Sequence, residues 1–86
     1  MKYAVTLGSR ALRDMKAPPR EIVIRLDRKI MDLADNPRPT GCVKLRGKST
    51  ESWRVRVGDY RILYTIDDAS HIVTIYRVGH RRDIYD

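Results

Sequence analysis

The chain has 86 residues, enough for one domain with a small core, and a domain of this size buries only about 60% of the surface that its unfolded chain exposes. It carries 18 basic and 11 acidic residues, a formal net charge of +7, and 13 of the basic residues are arginine. With 42% hydrophobic residues, the composition excludes an acidic tail and a purely charged disordered chain. The excess positive charge is therefore either spread over the surface or gathered at one site.

Membrane, secretory and metal-binding patterns are absent from the sequence. The longest aliphatic run, residues 22–24, is far short of the roughly 20 residues of a membrane helix. The N-terminus has neither the apolar stretch nor the cleavage site of a secretory signal. A single cysteine, Cys42, cannot form an internal disulfide, and one cysteine with two histidines matches no zinc pattern. We expect a cytoplasmic domain with no membrane association, no metal and no cofactor.

The first half of the chain predicts a strand and a short helix. Residues 2–7 alternate weakly and are rich in β-formers, which favours a strand. Ser9 is expected to cap a helix that runs to about Lys16. The pair Pro18-Pro19 ends this helix, because the residue before a proline avoids the α region, and Pro19 suits the first turn of a second helix.

The second helix has an apolar stripe along one side. Its hydrophobic residues recur at spacings of four, four and three, which places them on one helix face. Asn36-Pro37 stops the helix. Two helices joined by a Pro-Pro turn predict an αα-hairpin. The residues of the stripe are Ile22, Leu26, Ile30 and Leu33.

The second half of the chain changes to a period of two. Residues 53–57, 60–66 and 72–78 predict three strands, separated by a Gly-Asp pair and by the loop 67–70. The fold class is α+β: an N-terminal strand, a two-helix hairpin, then an antiparallel three- to four-stranded sheet packed on the helices. No linker or repeat divides the chain, so residues 1–86 form a single domain.

The two turns predict which residues pair across the strands. A two-residue turn at Gly58-Asp59 places Arg56 opposite Arg61, and a four-residue loop at 67–70 places Arg61 opposite Tyr76. One sheet face is then continuous and apolar and can bury the helices. Its members are Trp53, Val55, Val57, Tyr60, Ile62, Tyr64, Val73 and Ile75.

The opposite face carries three arginines, Arg54, Arg56 and Arg61, which we call the arginine face. Like charges directly opposite each other destabilise a sheet by a few tenths to about 1 kcal/mol, so the pairing of Arg56 with Arg61 needs a reason. One interpretation is a solvated polar face with splayed side chains. The other is an anion site, since guanidinium groups bind phosphate with two parallel hydrogen bonds.

The excess charge lies in two stretches of the chain. Residues 44–61 contain six bases and two acids, and residues 77–82 contain three bases and no acid, which together account for the whole +7. The second stretch brings His80, Arg81 and Arg82 towards the arginine face. A focused patch of arginine and tyrosine is typical of a nucleic-acid partner.

Three segments resemble the RelE/ParE superfamily of type II toxins, and the ending "RVGHRRDIY" resembles its RelE branch. They are residues 44–47, 53–64 and 77–85. The resemblance implies a ribosome-dependent endoribonuclease, an mRNA interferase that needs no metal. Its reaction would be attack of a 2′-hydroxyl on the adjacent phosphate in the ribosomal A site, which cleaves mRNA and inhibits translation.

The resemblance also implies roles for particular residues. Arg61 would hold the scissile phosphate, Arg81 would lie near the leaving 5′-oxygen, and Tyr85 would stack on or orient a base. Known members carry lysine at two positions where this chain has arginine, so His80 is the better candidate for a general base. The expected catalytic residues are Arg61, Arg81, His80, Tyr85 and Arg56, and the expected RNA-binding residues are Arg54, Lys44, Arg46, Lys48, Tyr76, Arg77 and Arg82.

Partners follow from the same resemblance. They would be a cognate antitoxin protein, the 70S ribosome and mRNA, and the toxin–antitoxin hetero-oligomer would bind operator DNA through the antitoxin. An acidic, partly disordered antitoxin segment suits a surface of this charge. Two alternatives remain open: a ParE-like, non-catalytic inhibitor of DNA gyrase, and an RNA-binding module without activity.

Overall fold

The structure, a computed structural model, describes residues 2–46 and 51–84, which form two helices and a five-stranded sheet. The elements are β1 (Ala4–Leu7), α1 (Ser9–Asp14), α2 (Arg20–Asp35), β2 (Val43–Leu45), β3 (Ser52–Val57), β4 (Tyr60–Asp67) and β5 (Ile72–His80). The predicted α+β class is confirmed. The short strand β2 was not predicted.

The strands lie in the order β1-β5-β4-β3-β2. Strands β3 to β5 pair antiparallel, as the sequence predicts, and β2 adds to β3 in the same way, whereas β1 runs parallel to β5 at one edge. The helices separate β1 from the other strands in sequence, and such a crossover connection is what parallel pairing requires. The sheet is therefore mixed, with the N-terminal strand beside the C-terminal one.

Proline sets the limits of α2. Its N-cap is Pro19, and the backbone N–H of its C-cap residue, Asn36, donates to the carbonyl of Asp32. The predicted capping role of Ser9 is wrong, because the N-cap of α1 is Gly8 and Ser9 already belongs to the helix. Neither helix is long and apolar enough to cross a membrane, as judged over the described residues.

The main core lies between the helices and one face of the sheet. All eight residues predicted for the apolar sheet face belong to it or pack against it. From α2, Leu26 and Leu33 are fully buried, Ile30 is nearly so, and Ile22 packs at the margin. At the centre, Tyr64 is fully buried, and its hydroxyl donates to the carbonyl of Pro37 at 2.7 Å.

The β3–β4 hairpin has the predicted register throughout, including Arg56 opposite Arg61. Gly58 has a φ of 58°, a left-handed conformation that favours glycine in a two-residue turn. The side chains of β3 and β4 therefore alternate as expected, and the three arginines lie on the sheet face that points away from the helices.

The predicted β4–β5 register is wrong. The turn lies one residue later, because Asp67 pairs with Ile72 in the ladder. The Asp67 carboxylate accepts hydrogen bonds from the backbone N–H groups of Ala69 and Ser70. His71, at the end of the loop, has a positive φ of 57°. The register then shifts by one residue between Leu63 and Tyr64 in β4. These two changes bring Gly79, not Tyr76, opposite Arg61.

A second, smaller apolar cluster lies on the other side of the sheet. Leu45, Leu63 and Ile84 are buried there, and Tyr76 packs against them. A Cβ on Gly79 would come within 2.8 Å of the Ile84 side chain, so the close approach of Ile84 requires glycine at this position. The C-terminal segment thereby folds back over the sheet beside the arginine face.

Candidate nucleic-acid interface

The arginine face is built by the β3–β4 hairpin. Arg54 and Arg56 are two residues apart on β3 and therefore share a face, and the ladder places Arg61 of β4 directly across from Arg56. Arg54 and Arg61 are half-buried, whereas Arg56 is exposed. The tight turn at Gly58 fixes this register, so three guanidinium groups converge on one area of the sheet.

The three arginines act on each other electrostatically. The pKa of Arg54 lies below its ordinary value. Partial burial lowers this pKa most, and the positive charges of Arg61 and then Arg56 lower it further. A lowered arginine pKa indicates that adding positive charge there is unfavourable. An anion in contact with these groups would relieve that repulsion, which favours the anion-site interpretation over an ordinary solvated face.

The C-terminal segment places Arg81 at the hairpin turn. The backbone N–H of Arg81 donates to the carbonyl of Asp59 at 2.8 Å, and its Nε lies 3.9 Å from the Asp59 carboxylate. Ile84 anchors the same segment three residues further on. Arg81 is therefore attached to the end of the hairpin that carries Arg56 and Arg61.

His80 does not join the arginine face. It pairs with Tyr60, whose side chain packs against the main core, and the two rings meet edge to face at 5.4 Å. His80 therefore lies on the helix side of the sheet, and the expectation that it lies beside the arginines is wrong. Its Nδ1 accepts a hydrogen bond from the backbone N–H of Arg82 at 3.2 Å, which occupies one of its two possible proton acceptors.

Ion pairs hold two of the predicted RNA-binding cations. Lys44 lies opposite Trp53 and contacts Glu51 at 2.7 Å. Arg77 donates from Nε to Asp14 of α1 at 3.0 Å, and the backbone N–H of Val78 donates to the same carboxylate oxygen. Both are charges that the fold neutralises locally.

The remaining predicted residues lie in several places. Arg46 and Arg82 are exposed at the end of β2 and in the C-terminal turn. Tyr76 lies beside the small apolar cluster, and its buried hydroxyl has no hydrogen-bond partner within residues 2–46 and 51–84. The predicted residues Lys48 and Tyr85 lie outside the described residues.

Two residues of the site were missed from the sequence. Asp59 was seen only as a turn residue, yet it holds Arg81 through both its carbonyl and its carboxylate. Gly79 makes room for Ile84. An isolated glycine inside a strand is a signal of a bulge or a close approach, so Gly79 could have been found, whereas nothing in the sequence connects Asp59 with Arg81.

Metal ligands do not cluster in the described ranges, 2–46 and 51–84, which contain no group of three or more His, Cys, Asp or Glu side chains placed to hold an ion. The side chains that define the arginine face are guanidinium groups, which donate hydrogen bonds, carry positive charge and do not accept protons at neutral pH.

A comparison with known families gives the context of this surface. Residues 5–85 match the family model described as "ParE toxin of type II toxin-antitoxin system, parDE". The chain belongs to this toxin family. The ParE-family chain is 40% identical over 86 residues to toxin RelG of Mycobacterium tuberculosis, covering 99% of this chain and 98% of that protein. It is 32% identical to toxin RelE of the same organism, covering 96% of this chain and 86% of that one.

Solved structures share the fold of this ParE-family toxin. The RelBE2 toxin–antitoxin complex of M. tuberculosis matches with a TM-score of 0.83 and 33% identity, covering 94% of this chain and 100% of that one. The RelE–RelB complex of Pyrococcus horikoshii matches in fold with a TM-score of 0.82 at 24% identity, covering 94% of this chain and 97% of that one. The chain is therefore a RelE-like type II toxin.

Proposed function

We propose that this toxin is an endoribonuclease that cleaves mRNA in the A site of the ribosome and thereby stops translation. The observation that carries the proposal is the arginine face, where Arg54, Arg56 and Arg61 converge and lower the pKa of Arg54. Its relatives include toxins named RelG and RelE, and the matching family model describes a toxin of a type II system, which supports the proposal. The protein would act in the cytoplasm, where ribosomes are.

The arginine face suits a reaction in which negative charge grows on phosphorus-bound oxygens. Attack of a 2′-hydroxyl on the adjacent phosphate forms a pentacoordinate, more negative transition state, and preorganised cations stabilise that state more than the ground state. Arg61, half-buried and opposite Arg56, would contact the non-bridging oxygens. Its neighbours on the hairpin would share the charge.

The proton transfers would depend on solvent more than on a side chain of the described part of the chain. The new bond joins the 2′-oxygen to phosphorus, the bond from phosphorus to the 5′-oxygen breaks, and the products are a 2′,3′-cyclic phosphate and a 5′-hydroxyl. The 2′-hydroxyl proton would leave to water, because arginine does not act as a base and His80 faces the helices. Arg81, attached to Asp59, would stabilise the departing 5′-oxygen, which would take its proton from water.

A cognate antitoxin would control the activity. The structural relatives from M. tuberculosis and P. horikoshii are toxin–antitoxin complexes, and a partner of acidic composition would complement the net charge of +7. Such a partner would cover or distort the arginine face. Operator DNA would then bind through the antitoxin.

Primer extension on mRNA from translating ribosomes tests the proposal. Purified toxin should produce new 5′ ends at A-site codons, and the variant Arg61→Gln should produce almost none. A matched control is Arg10→Gln, which removes one exposed arginine of α1 and should leave cleavage intact. Absence of cleavage by the parent toxin, or unchanged cleavage by Arg61→Gln, would contradict the proposal.

A second candidate function is inhibition of DNA gyrase without catalysis. It is favoured by one observation, the match to a family model that carries the ParE name. A supercoiling assay without ribosomes separates the two: inhibition there, with no mRNA cleavage, supports the second candidate. RNA binding without either effect would indicate a binding module.

A further inference from the structure

A cleft of about 280 Å³ lies between α2 and the end of the β3–β4 hairpin. It adjoins the arginine face at Arg56, and it was not predicted from the sequence. Four of the residues that line it are basic and one is acidic. They are Arg25, Arg28, Lys29, Arg56 and Asp32, together with Val57 and Gly58.

The helix spacing explains why these cations meet. Arg28 and Lys29 lie three and four residues after Arg25 along α2, so both are neighbours of Arg25 on one helix face. That face lies beside the buried stripe and turns towards β3. The guanidinium of Arg25 lies over the hairpin turn, with Nη1 and Nη2 each 3.7 Å from where a Cβ on Gly58 would be.

The charges in the cleft are not neutralised by the rest of the described chain. None of the ion pairs formed among residues 2–46 and 51–84 involves Arg25, Arg28 or Lys29. By contrast, the cations Lys44 and Arg77 elsewhere on the sheet each have a carboxylate partner. Among the residues that line the cleft, four are cations and Asp32 is the one acid, and such an excess of positive charge raises the local concentration of anions.

The cleft is continuous with the arginine face through Arg56. Strand β2 pairs only with residues 52–54 of β3, so the following part of β3, which carries Arg56, is not covered by β2. Arg56 belongs to the arginine face by register and also lines the cleft. A ligand with regularly repeated negative charges could therefore follow the basic side chains around this edge of the sheet.

We propose that the cleft lined by Arg25, Arg28 and Lys29 is a second phosphodiester-binding site, which holds the RNA backbone next to the segment that lies on the arginine face. The inference rests on the proposed function. The arginine face and the cleft are two cationic surfaces that share Arg56. RNA suits them better than an acidic protein segment, because each nucleotide carries one phosphate and the negative charges repeat regularly along the strand. The strand in the cleft would be either the mRNA itself or ribosomal RNA.

The test compares two triple variants of equal charge. The cleft variant is Arg25→Gln/Arg28→Gln/Lys29→Gln, and the control is Arg10→Gln/Arg13→Gln/Lys16→Gln, which removes three exposed cations from α1 and its C-terminal end. Glutamine keeps a helix propensity similar to that of lysine and arginine. Circular dichroism establishes that both variants fold before binding is measured.

The first arm measures binding of a short fluorescein-labelled 2′-O-methyl RNA, which cannot undergo 2′-hydroxyl attack, by anisotropy at several salt concentrations. For the loss of two phosphate contacts, we expect the slope of log K against log salt to become shallower by about 1.4, since each contact with single-stranded RNA contributes about 0.7. The control should keep the slope of the parent chain. Equal losses in both variants would overturn the proposal, because they would indicate a diffuse field.

The second arm measures mRNA cleavage on ribosomes. The cleft variant should raise KM and leave kcat nearly unchanged, because the cleft binds RNA away from the reacting atoms. A defect in both arms identifies the mRNA strand, and a defect on ribosomes alone identifies ribosomal RNA. A cleft variant that behaves like the control in both arms overturns the inference while the nuclease proposal stands.

Failure of the proposed function gives a different pattern. If the parent chain cleaves no mRNA but binds the labelled RNA, and the cleft variant still has the shallower salt slope, the site exists without a nuclease. If the cleft variant binds RNA normally and loses affinity only for the antitoxin in calorimetry, the cleft is a protein contact, and the RNA proposal is wrong.

Discussion

Arginine has opposite surroundings in two regions of this protein, the loop before β2 and the β3–β4 hairpin. In the first region, Arg38 donates from Nη1 and Nη2 to Asp68 at 3.3 and 2.9 Å, and its guanidinium carbon lies 5.2 Å from the centre of the Trp53 ring. Tyr3 donates to the same carboxylate at 2.6 Å. We call these contacts the Arg38 network. The hydrogen bond to Asp68 raises the pKa of Arg38.

The second region is the arginine face. There, partial burial and the charges of two other arginines all lower the pKa of Arg54. The hydrogen bond to a carboxylate favours the charged form of Arg38, whereas burial and the two neighbouring arginines disfavour the charged form of Arg54. Proteins retain such repulsion where an anionic ligand makes use of it. We propose that this difference separates an arginine that stabilises the fold from arginines that bind an anionic ligand.

The largest expected effect is on mRNA cleavage and comes from a substitution on the arginine face. We expect Arg61→Gln to slow mRNA cleavage about 100-fold, because removing one preorganised donor from a transition-state anion has an effect of this size. Arg38→Gln should leave cleavage nearly unchanged and lower the melting temperature. Single-turnover cleavage on ribosomes and thermal unfolding measure the two effects; a loss of activity in Arg38→Gln similar to that in Arg61→Gln would contradict the division.

The next effect concerns the segment that attaches Arg81. Ile84 is 2% exposed and lies against Gly79, so Ile84→Ala should destabilise the protein by about 2 kcal/mol, the lower end for truncating a buried isoleucine. Cleavage should fall as well, because Arg81 would no longer be held at Asp59. Urea unfolding and the cleavage assay measure this. Met31→Ala, at an exposed position of α2, is the control and should change neither.

A smaller effect tests the Arg38 network by pH. Hydrogen bonds from Arg38 and Tyr3 lower the pKa of Asp68 below its ordinary value of 3.8, so the ionised carboxylate stabilises the fold. This contribution is complete above the ordinary pKa and is lost as the pH falls through the lowered one. Asp68→Asn should therefore melt at a lower temperature at neutral pH.

The difference between the parent chain and Asp68→Asn should then shrink as the pH falls below about 4. Thermal unfolding followed across this range measures it. Asp27→Asn, on the exposed side of α2, provides the comparison. A gap that stays constant down to low pH would show that Asp68 stabilises the fold by something other than its charge.

The smallest effect tests the repulsion itself. Arg56→Thr removes one of two like charges that lie directly opposite each other and introduces a residue that suits a strand, so stability should rise by a few tenths to about 1 kcal/mol. In an Arg61→Gln background the same change should raise stability by less, since the repulsion between residues 56 and 61 is already gone. Equal gains in both backgrounds, measured by urea unfolding, would assign the effect to strand propensity alone.

The parts that were predictable from the sequence are those fixed by local chemistry. The turn at Gly58-Asp59 sets every pair of the β3–β4 hairpin, including Arg56 with Arg61, because a two-residue turn leaves one register. The β4–β5 hairpin was mispredicted because its longer loop admits more than one closure, and Asp67 selects the observed closure by accepting hydrogen bonds from Ala69 and Ser70.

The candidate site was also predicted only in part: the arginine face was predicted correctly, and the position of His80 and the attachment of Arg81 to Asp59 were not. The arginine face follows from alternation along two strands and needs no other element. The side of the sheet on which His80 lies depends on the register shift near Leu63, and the position of Arg81 depends on how Ile84 packs against Gly79. Neither is visible in a local pattern, because each depends on a residue that is distant along the chain or on an irregularity in the ladder.

By itself the sequence determined the two helices and their proline limits, the apolar sheet face and the convergence of Arg54, Arg56 and Arg61, since periodicity and tight turns act over a few residues. Tertiary structure alone decided that β1 pairs with β5, that His80 faces the helices and that the cations of α2 meet Gly58 at the hairpin turn. These outcomes depend on packing between segments far apart in the chain. The alternation along two strands therefore placed three arginines on one face, and only folding added the adjoining cleft, which is built mainly from the α2 cations Arg25, Arg28 and Lys29.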